Sequence, residues 1–328
     1  MIRAAQRSRA RGWTLAVAFS LTLVLAACTP PEAPPLRLVA SSWPGYETLY
    51  LARELGHFDE SKVVCLELPD SSLSFQAFRN DSVDLAAMSL NQYLELVRGG
   101  THARIIAVLD RSAGGDAAMA SAAVRDLHDL KGKRILLPNF SMVGNQLLSH
   151  MLAEAHLERK DVHIMIDAQD RHEKLFRNGG ADVVMSYEPY KSGLAAAGAH
   201  DIYDTNAIPN EVIDVLAVRE NIYQQRREDV CALLRQWFAT QRYVDEHPKD
   251  AYTLMARRLH KSPAEFEVML KGMALTGAQD NLNLLHGAKP AILDTMQSLN
   301  TLLVGEKAWA APLDLRPSLA PETRACIG

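Results

Sequence analysis

After residue 27, no stretch of this 328-residue chain reaches the roughly eighteen uninterrupted apolar residues that a membrane-crossing helix requires. Catalytic signatures are missing too. There is no Gly-x-Ser-x-Gly elbow, no Walker loop and no His-Glu-x-x-His pair. The eleven histidines are scattered without ligand spacing, so surface or satisfied histidines are expected, with no metal, no cofactor and no enzyme activity. Clustered Lys and Arg are lacking: 35 basic against 39 acidic residues give a net charge of −4, which argues against a nucleic-acid partner. Cysteine is sparse, at four. There is no internal repeat, and the one low-complexity tract is short and Pro-rich.

What the sequence does contain begins at its N-terminus. Arg3, Arg7, Arg9 and Arg11 precede an almost uncharged run from Trp13 to Ala27. A basic start, a short apolar stretch and small residues at its end read as a secretory signal, too short for a comfortable span. Its close, Leu25-Ala26-Ala27-Cys28, resembles the bacterial lipobox, in which the cysteine is lipidated and heads the mature chain. The alternative is an ordinary cleaved signal with a chance cysteine. Residues 1–27 are therefore read as a lipoprotein signal peptide. Residues 28–35, with Pro30, Pro31, Pro34 and Pro35, are a semi-extended tether between lipid and folded body. Losing the signal removes four arginines and no acid, which moves the charge from −4 to −8. The expected location is the periplasmic side of a bacterial membrane, anchored at Cys28. Thr29 is not the Asp that typically retains such lipoproteins at the inner membrane, so an outer-membrane anchor stays open. Cys65, inside an apolar alternation, reads as a buried small hydrophobe. Cys231 and Cys326 are the expected disulfide pair in this oxidising compartment.

From Leu36 onward, short β-branched runs alternate with amphipathic helical stretches. Strands are expected at 36–40, 62–68, 83–88, 104–109, 134–138, 161–166, 182–186 and 212–218, with helices between them. This alternation implies parallel sheets covered on both faces. Residues 221–303 read as nearly all helical, with Pro248, Pro263 and Pro290 at helix starts, where a missing N–H does no harm.

The segment Ser41-Ser42-Trp43-Pro44-Gly45-Tyr46, followed by Leu51-Ala52-Arg53-Glu54-Leu55-Gly56-His57-Phe58, resembles the start of transporter substrate-binding proteins of the nitrate, sulfonate, taurine and thiamine-pyrimidine (NMT1/THI5-like) family. Three later segments are similar to that family in the expected order: Phe78 to Ala86, Asp129-Leu130-Lys131-Gly132-Lys133-Arg134-Ile135, and Gly180 to Val184 with Tyr187-Glu188-Pro189-Tyr190. Tyr187 stands where many relatives have Trp. The resemblance implies an α/β fold of the type-two periplasmic binding class, with two lobes, mixed and mainly parallel sheets, and a helical C-terminal region. Lobe one would comprise 36–117 and 213–328, lobe two 118–212, with hinge crossings near Asp116 and Asp214. It further implies a monomer that captures a small-molecule solute and passes it to an ABC permease. A membrane sensor as partner is the alternative, and a pyrimidine-forming enzyme a lesser one. The Cys/His-rich iron tract of the fungal pyrimidine-forming relatives has no counterpart in this chain.

Ligands of open α/β sheets bind beyond the carboxyl ends of the strands. Ser41, Ser42, Trp43 and Tyr46 follow strand one, Ser71 and Ser72 strand two, and Ser89, Asn91 and Gln92 strand three. Asp110, Ser112 and Asp116 follow strand four; Asn139, Phe140 and Ser141 follow the first strand of the second lobe, and Tyr187 with Glu188 a later one. From these, the candidate ligand set is Ser42, Trp43, Tyr46, Ser71, Ser89, Asp110, Asp116, Asn139, Phe140, Ser141, Tyr187, Glu188 and Asp214. Bland roles compete: Ser71 and Ser141 as helix caps, Trp43 as core, Asp110 and Asp116 as turn caps, Glu188 as a helix-start charge. If Asp110, Asp116, Glu188 and Asp214 converge, they favour an amine-bearing or zwitterionic solute over a bare anion.

Overall fold

Runs whose residues are buried on both faces become strands at the centre of covered sheets, and here they set the frame of the molecule. The computed structural model describes residues 33–305 and 309–327; Cys28 and its proposed lipid lie outside them. In chain order come β1 (Leu36–Ala40), α1 (Glu47–Glu54), β2 (Val63–Glu67), α2 (Ser71–Arg79), β3 (Leu85–Ser89), α3 (Leu90–Arg98), β4 (Ala103–Ser112) and β5 (Asp116–Ala120). Next are β6 (Arg134–Pro138), α4 (Met142–Glu154), β7 (His163–Asp167), α5 (His172–Arg177), β8 (Val183–Tyr187), α6 (Tyr190–Ala196), β9 (His200–Asp204) and β10 (Ile213–Arg219). The remainder is α7 (Glu220–Gln225), α8 (Arg227–Glu246), α9 (Pro248–Arg258), α10 (Pro263–Leu270), β11 (Met273–Leu275), α11 (Ala278–Leu285) and α12 (Ile292–Gly305). Pro248 and Pro263 do open helices, while Pro290 lies just ahead of one.

Two sheets result. The first has the order β11-β4-β10-β3-β1-β2, the second β7-β6-β8-β5-β9. Among the named strands, parallel pairing is confined to β2-β1-β3 and β7-β6-β8. The five other pairings are antiparallel, which corrects the expectation of mainly parallel sheets. The physical reason is connectivity. The chain reaches β5 and β10 straight from the other sheet, without the helical crossover that parallel neighbours need. Three strands escape a sequence reading. β5 (DAAMA) is Ala-rich and weak in β-propensity, β9 is a short edge, and β11 interrupts the helical region with three residues.

Period-two alternation divides each sheet between two cores. Leu36, Leu38 and Ala40 pack on the side of Trp237 and Tyr50, whereas Val39 packs with Phe78, Met88 and Tyr93. In the second sheet Ala118 and Ala120 face Leu147 and Met151, while Ala117 and Met119 face Phe176 and Leu194. Cys231 and Cys326 are bonded, with Cα atoms 5.0 Å apart across 95 residues, so the disulfide anchors the 321–326 turn to α8. Cys65 is free and buried.

Each sheet carries the same clamp near the start of its central strands. Arg37 gives its backbone N–H (2.8 Å), Nε (3.1 Å) and Nη2 (2.9 Å) to Asp84. Arg134 gives the same three groups to Asp182 at 2.9, 3.1 and 2.8 Å. No helix among the described residues is long and apolar enough to cross a membrane.

Candidate functional site

The carboxyl ends of β1, β2, β3, β6 and β8 meet at a cleft with about 60 Å³ of free space. The first sheet and its loops contribute Ser41, Trp43, Tyr46, Ser71, Ser89, Gln92 and Asp214. From the other side come Asp116, Phe140, Ser141, Met142, Val143 and Tyr187, with Val212 on the return crossing. Among the described residues, no Lys or Arg lines it.

Trp43 is held by its indole Nε1, which donates to both oxygens of Asp110 at 3.2 and 3.1 Å. Gly45 makes this possible. A Cβ there would sit 2.6 Å from Trp43 Nε1 and closer still to Asp110 Oδ2. The Trp43 ring meets Tyr187 edge-on at 6.2 Å, and Tyr187 meets Tyr190 edge-on at 5.6 Å. A file of aromatics therefore runs from the first sheet's loop to α6.

Beneath these rings lie three carboxylates. Asp214 on β10 is registered opposite Asp110 on β4 and Ser89 on β3, so the two acids occupy neighbouring strands. Asp116 begins β5, its backbone N–H donating to Ser112 Oγ at 3.2 Å. Burial pushes Asp110 up to about 7, opposed by the Trp43 N–H and reinforced by the Asp116 charge. Burial pushes Asp116 up to about 6, with the Ser112 hydroxyl and Lys191 pulling the other way. Asp214 rises well above the usual carboxylate range through burial and then the charges of Asp110 and Asp116. Desolvation with uncompensated like charge is the shared cause. Lys191 is engaged elsewhere: its Nζ pairs with Asp201 (2.7 Å) and donates to the Gly114 carbonyl (2.7 Å).

Crossing from β4 to β5, Gly114 has φ +101°, a left-handed value that favours glycine, and its N–H donates to Thr205 Oγ1 at 2.7 Å. Gly115 packs against Gly272, its N–H 2.7 Å from the Gly272 carbonyl, where a Cβ would collide.

Nine expected ligand residues share the cleft: Trp43, Tyr46, Ser71, Ser89, Asp116, Phe140, Ser141, Tyr187 and Asp214. Some also carry structural roles. Ser89 and Ser141 cap α3 and α4 through bonds to Gln92 N (3.3 Å) and Gly144 N (3.0 Å). Ser71 is not a cap, because Asp70 takes that position on α2. Phe140 stands at the rim, 64% exposed with φ 52°. Four expected residues fall outside the lining. Ser42 is displaced by its neighbour Ser41, and Asp110 lies behind Trp43. Glu188 turns to α6, its Oε2 accepting from Ser192 N (3.2 Å) and Oγ (2.8 Å), which is the helix-start role. Asn139 lines a neighbouring cavity of about 330 Å³ that shares Ser71, Ser141 and Tyr187 with the cleft. Sequence reasoning names Ser41 and Gln92 after their strands without carrying them into the site. Gln92 is detectable from its capping box with Ser89. Met142, Val143 and Val212 carry no chemical signal.

The family model described as NMT1/THI5 like matches residues 43–251. Among solved structures, the chain is similar to the ligand-binding component of an ABC-type import system from Staphylococcus aureus with zinc bound, at 12% identity and a TM-score of 0.74 over 89% of this chain and 98% of that one. It is also similar to the periplasmic aliphatic sulphonate-binding protein SsuA from Escherichia coli, at 15% identity and TM-score 0.71 over 88% and 92%. The alkanesulfonate-binding SsuA from Xanthomonas axonopodis pv. citri, bound to MOPS, gives 15% identity and TM-score 0.69 over 90% and 99%. No curated protein matches the sequence. The fold is that of the periplasmic binding proteins.

Proposed function

The chain belongs to the NMT1/THI5-like family, and from that premise we propose that it is an extracytoplasmic solute-binding protein. It captures a small amine-bearing or zwitterionic organic solute between two lobes and delivers it to an ABC permease. Lobe one, 36–117 and 213–328, carries the first sheet; lobe two, 118–212, carries most of the second. Lipid at Cys28 holds the protein at the membrane, where its effective concentration near the permease is high.

One observation carries the ligand class: Asp116 and Asp214 line a cleft in which no Lys or Arg does. A cation placed there relieves mutual repulsion and gains charge-assisted hydrogen bonds. A sulfonate, the ligand class named for the SsuA proteins, would meet like charge instead. Zinc, bound in the Staphylococcus aureus protein, is not favoured either. Among the described residues no group of three His, Cys, Asp or Glu is placed to hold a metal ion. Trp43 and Tyr187 add aromatic faces that attract ammonium groups. Since the lining comes from both sheets, a ligand touching both favours the closed arrangement.

Titration calorimetry with primary and quaternary amines, alkanesulfonates and nitrate tests this. Amines are expected to bind and the anions are not. Tight sulfonate binding with no amine response overturns the reading.

A further inference from the structure

Two helices, one from each lobe, start at the cleft and run outward from it. On α3 the cap Ser89 and Gln92 line the cleft, and on α4 the cap Ser141 with Met142 and Val143 does the same. Just behind these lining residues the two helices touch. Asn91 of α3 donates its Nδ2 to Gln146 Oε1 of α4 at 2.9 Å, and the two residues are 2% and 3% exposed. Gln146 Nε2 donates in turn to Glu211 Oε2 at 3.1 Å, on the return crossing that leads into Asp214. Asn91, Gln146 and Met142 also line a cavity of about 670 Å³ between α3 and α4. Met142 is common to both spaces, so the amide pair stands between the cleft and this outer cavity.

The bond is placed to break when the lobes part. Other bonds between the lobes gather at the crossings: Arg111 Nη1 and Thr295 Oγ1 both reach Asn210, at 3.1 Å each, and Ser112 Oγ meets Thr205 Oγ1 at 2.9 Å. By contrast, α3 and α4 are packed into different cores, α3 with Phe78 and Met88, α4 with Val183 and Met185. A movement of one core against the other therefore falls on the Asn91–Gln146 contact. The contact is also weak. Asn91 Oδ1 is buried without a partner, so closing gains one hydrogen bond and strands one oxygen. Both groups are neutral amides, and water entering from the outer cavity can replace the bond once the helices separate.

We propose that the Asn91–Gln146 bond is a latch that holds a fraction of the ligand-free protein closed. It thereby sets the affinity for any captured solute without touching it, because the closed form is the one that grips the solute on both sides. This rests on the two-lobe capture reading and is independent of the amine class.

Small-angle X-ray scattering and calorimetry on the full chain compare the wild type with Asn91→Ala, Gln146→Ala and the double variant. Alanine is a strong helix former, so both helices are kept. All three ligand-free variants are expected to show a larger radius of gyration than the wild type. Butylamine binding is expected to weaken about threefold to tenfold, the size of one neutral hydrogen bond. The double variant is expected to lose no more than the worse single one, since both substitutions break the same bond. A ligand-free radius of gyration that stays at the wild-type value in every variant overturns the latch, and so do two affinity losses that add. A wild type that contracts on binding butylamine, with variants that match it throughout, overturns the latch and leaves the proposed function standing. No contraction with any amine, alkanesulfonate or nitrate overturns the capture reading instead, and the ligand-free scattering still decides the latch.

Discussion

The two edges of the sheets treat aspartate in opposite ways. At the edge away from the cleft, Asp84 and Asp182 are each gripped by an arginine through three hydrogen bonds, and both carboxyls are held below their usual range. For Asp84, burial opposes that fall and the Arg37 bonds outweigh it. At the cleft edge, Asp110 and Asp214 are buried and Asp116 is half-buried, no cation is among the described lining residues, and all three are pushed up. The same residue type is therefore an internal fastener at one edge and an unsatisfied demand at the other. Folding gains from the first. The second costs stability in the ligand-free protein as the carboxyls ionise, as expected where stability is given up for function.

Neutral, shape-preserving substitutions separate these two kinds of aspartate most sharply. Asp214→Asn removes a repelling charge, so the ligand-free protein is expected to melt about 2 °C higher. Its affinity for an amine is expected to fall at least about a hundredfold, since truncating one side of a buried charged contact costs several kcal/mol. Asp84→Asn has the opposite signature: a melt lower by a similar amount and unchanged amine affinity. Thermal melts with calorimetry check both. Shifts of the same sign for the two variants would dissolve the distinction between the edges.

The next effect is in the pH dependence of stability. Asp110 and Asp116, at about 7 and about 6 in the fold, keep protons that an unfolded chain releases near pH 4. Their contribution is complete below about pH 4 and is lost as pH rises through 6 to 7. Glu47, which burial raises to about 7 against its bond to Arg258, acts in the same direction. The clamped Asp84 and Asp182 work the other way: their contribution is present above about pH 4 and disappears as pH falls below it. Ligand-free protein is thus expected to be most stable near pH 4 to 5 and to lose stability progressively as pH rises to about 7.5. Amine affinity should rise over the same interval as the carboxylates ionise. Melts across pH decide it, and in an Asp110→Asn, Asp116→Asn double variant the slope should flatten to the part due to Asp214, Glu188 and Glu47, all of which burial raises. An unchanged slope there would place the titration elsewhere.

Much of this contrast is readable in the sequence, but unevenly. The rule that ligands gather beyond strand ends finds Trp43, Tyr46, Ser71, Ser89, Asp116, Phe140, Ser141, Tyr187 and Asp214, because polar and aromatic residues in those loops have no strand to join. It also names Glu188, which lies outside the lining and accepts from Ser192 one helical turn ahead, since a helix-start charge and a ligand contact look alike in one dimension. Asp84 and Asp182 sit in segments recognisable by family resemblance, yet their clamps join residues 47 and 48 positions apart and only the fold brings them together. The strand β5 is hidden for a different reason. Ala117, Ala118 and Ala120 carry little local preference, and their pairing with β8 and β9 is imposed by burial.

The smallest predicted effect tests whether the two clamps are fasteners alone. Arg134 lies 43% exposed, so water screens much of its attraction to Asp182. Replacing it by Lys keeps the charge but loses the planar fork that addresses both carboxylate oxygens at once. The backbone N–H of residue 134 still donates to Asp182 Oδ2, because that bond depends on strand position and not on the side chain. Arg134→Lys is therefore expected to lower the melt by no more than about 2 °C. Amine affinity should stay at the wild-type value, since no residue of this clamp reaches the cleft. A measurable loss of affinity in calorimetry would mean that the far edge tunes the cleft through the strands, and that the division between fastener and binding site is not local.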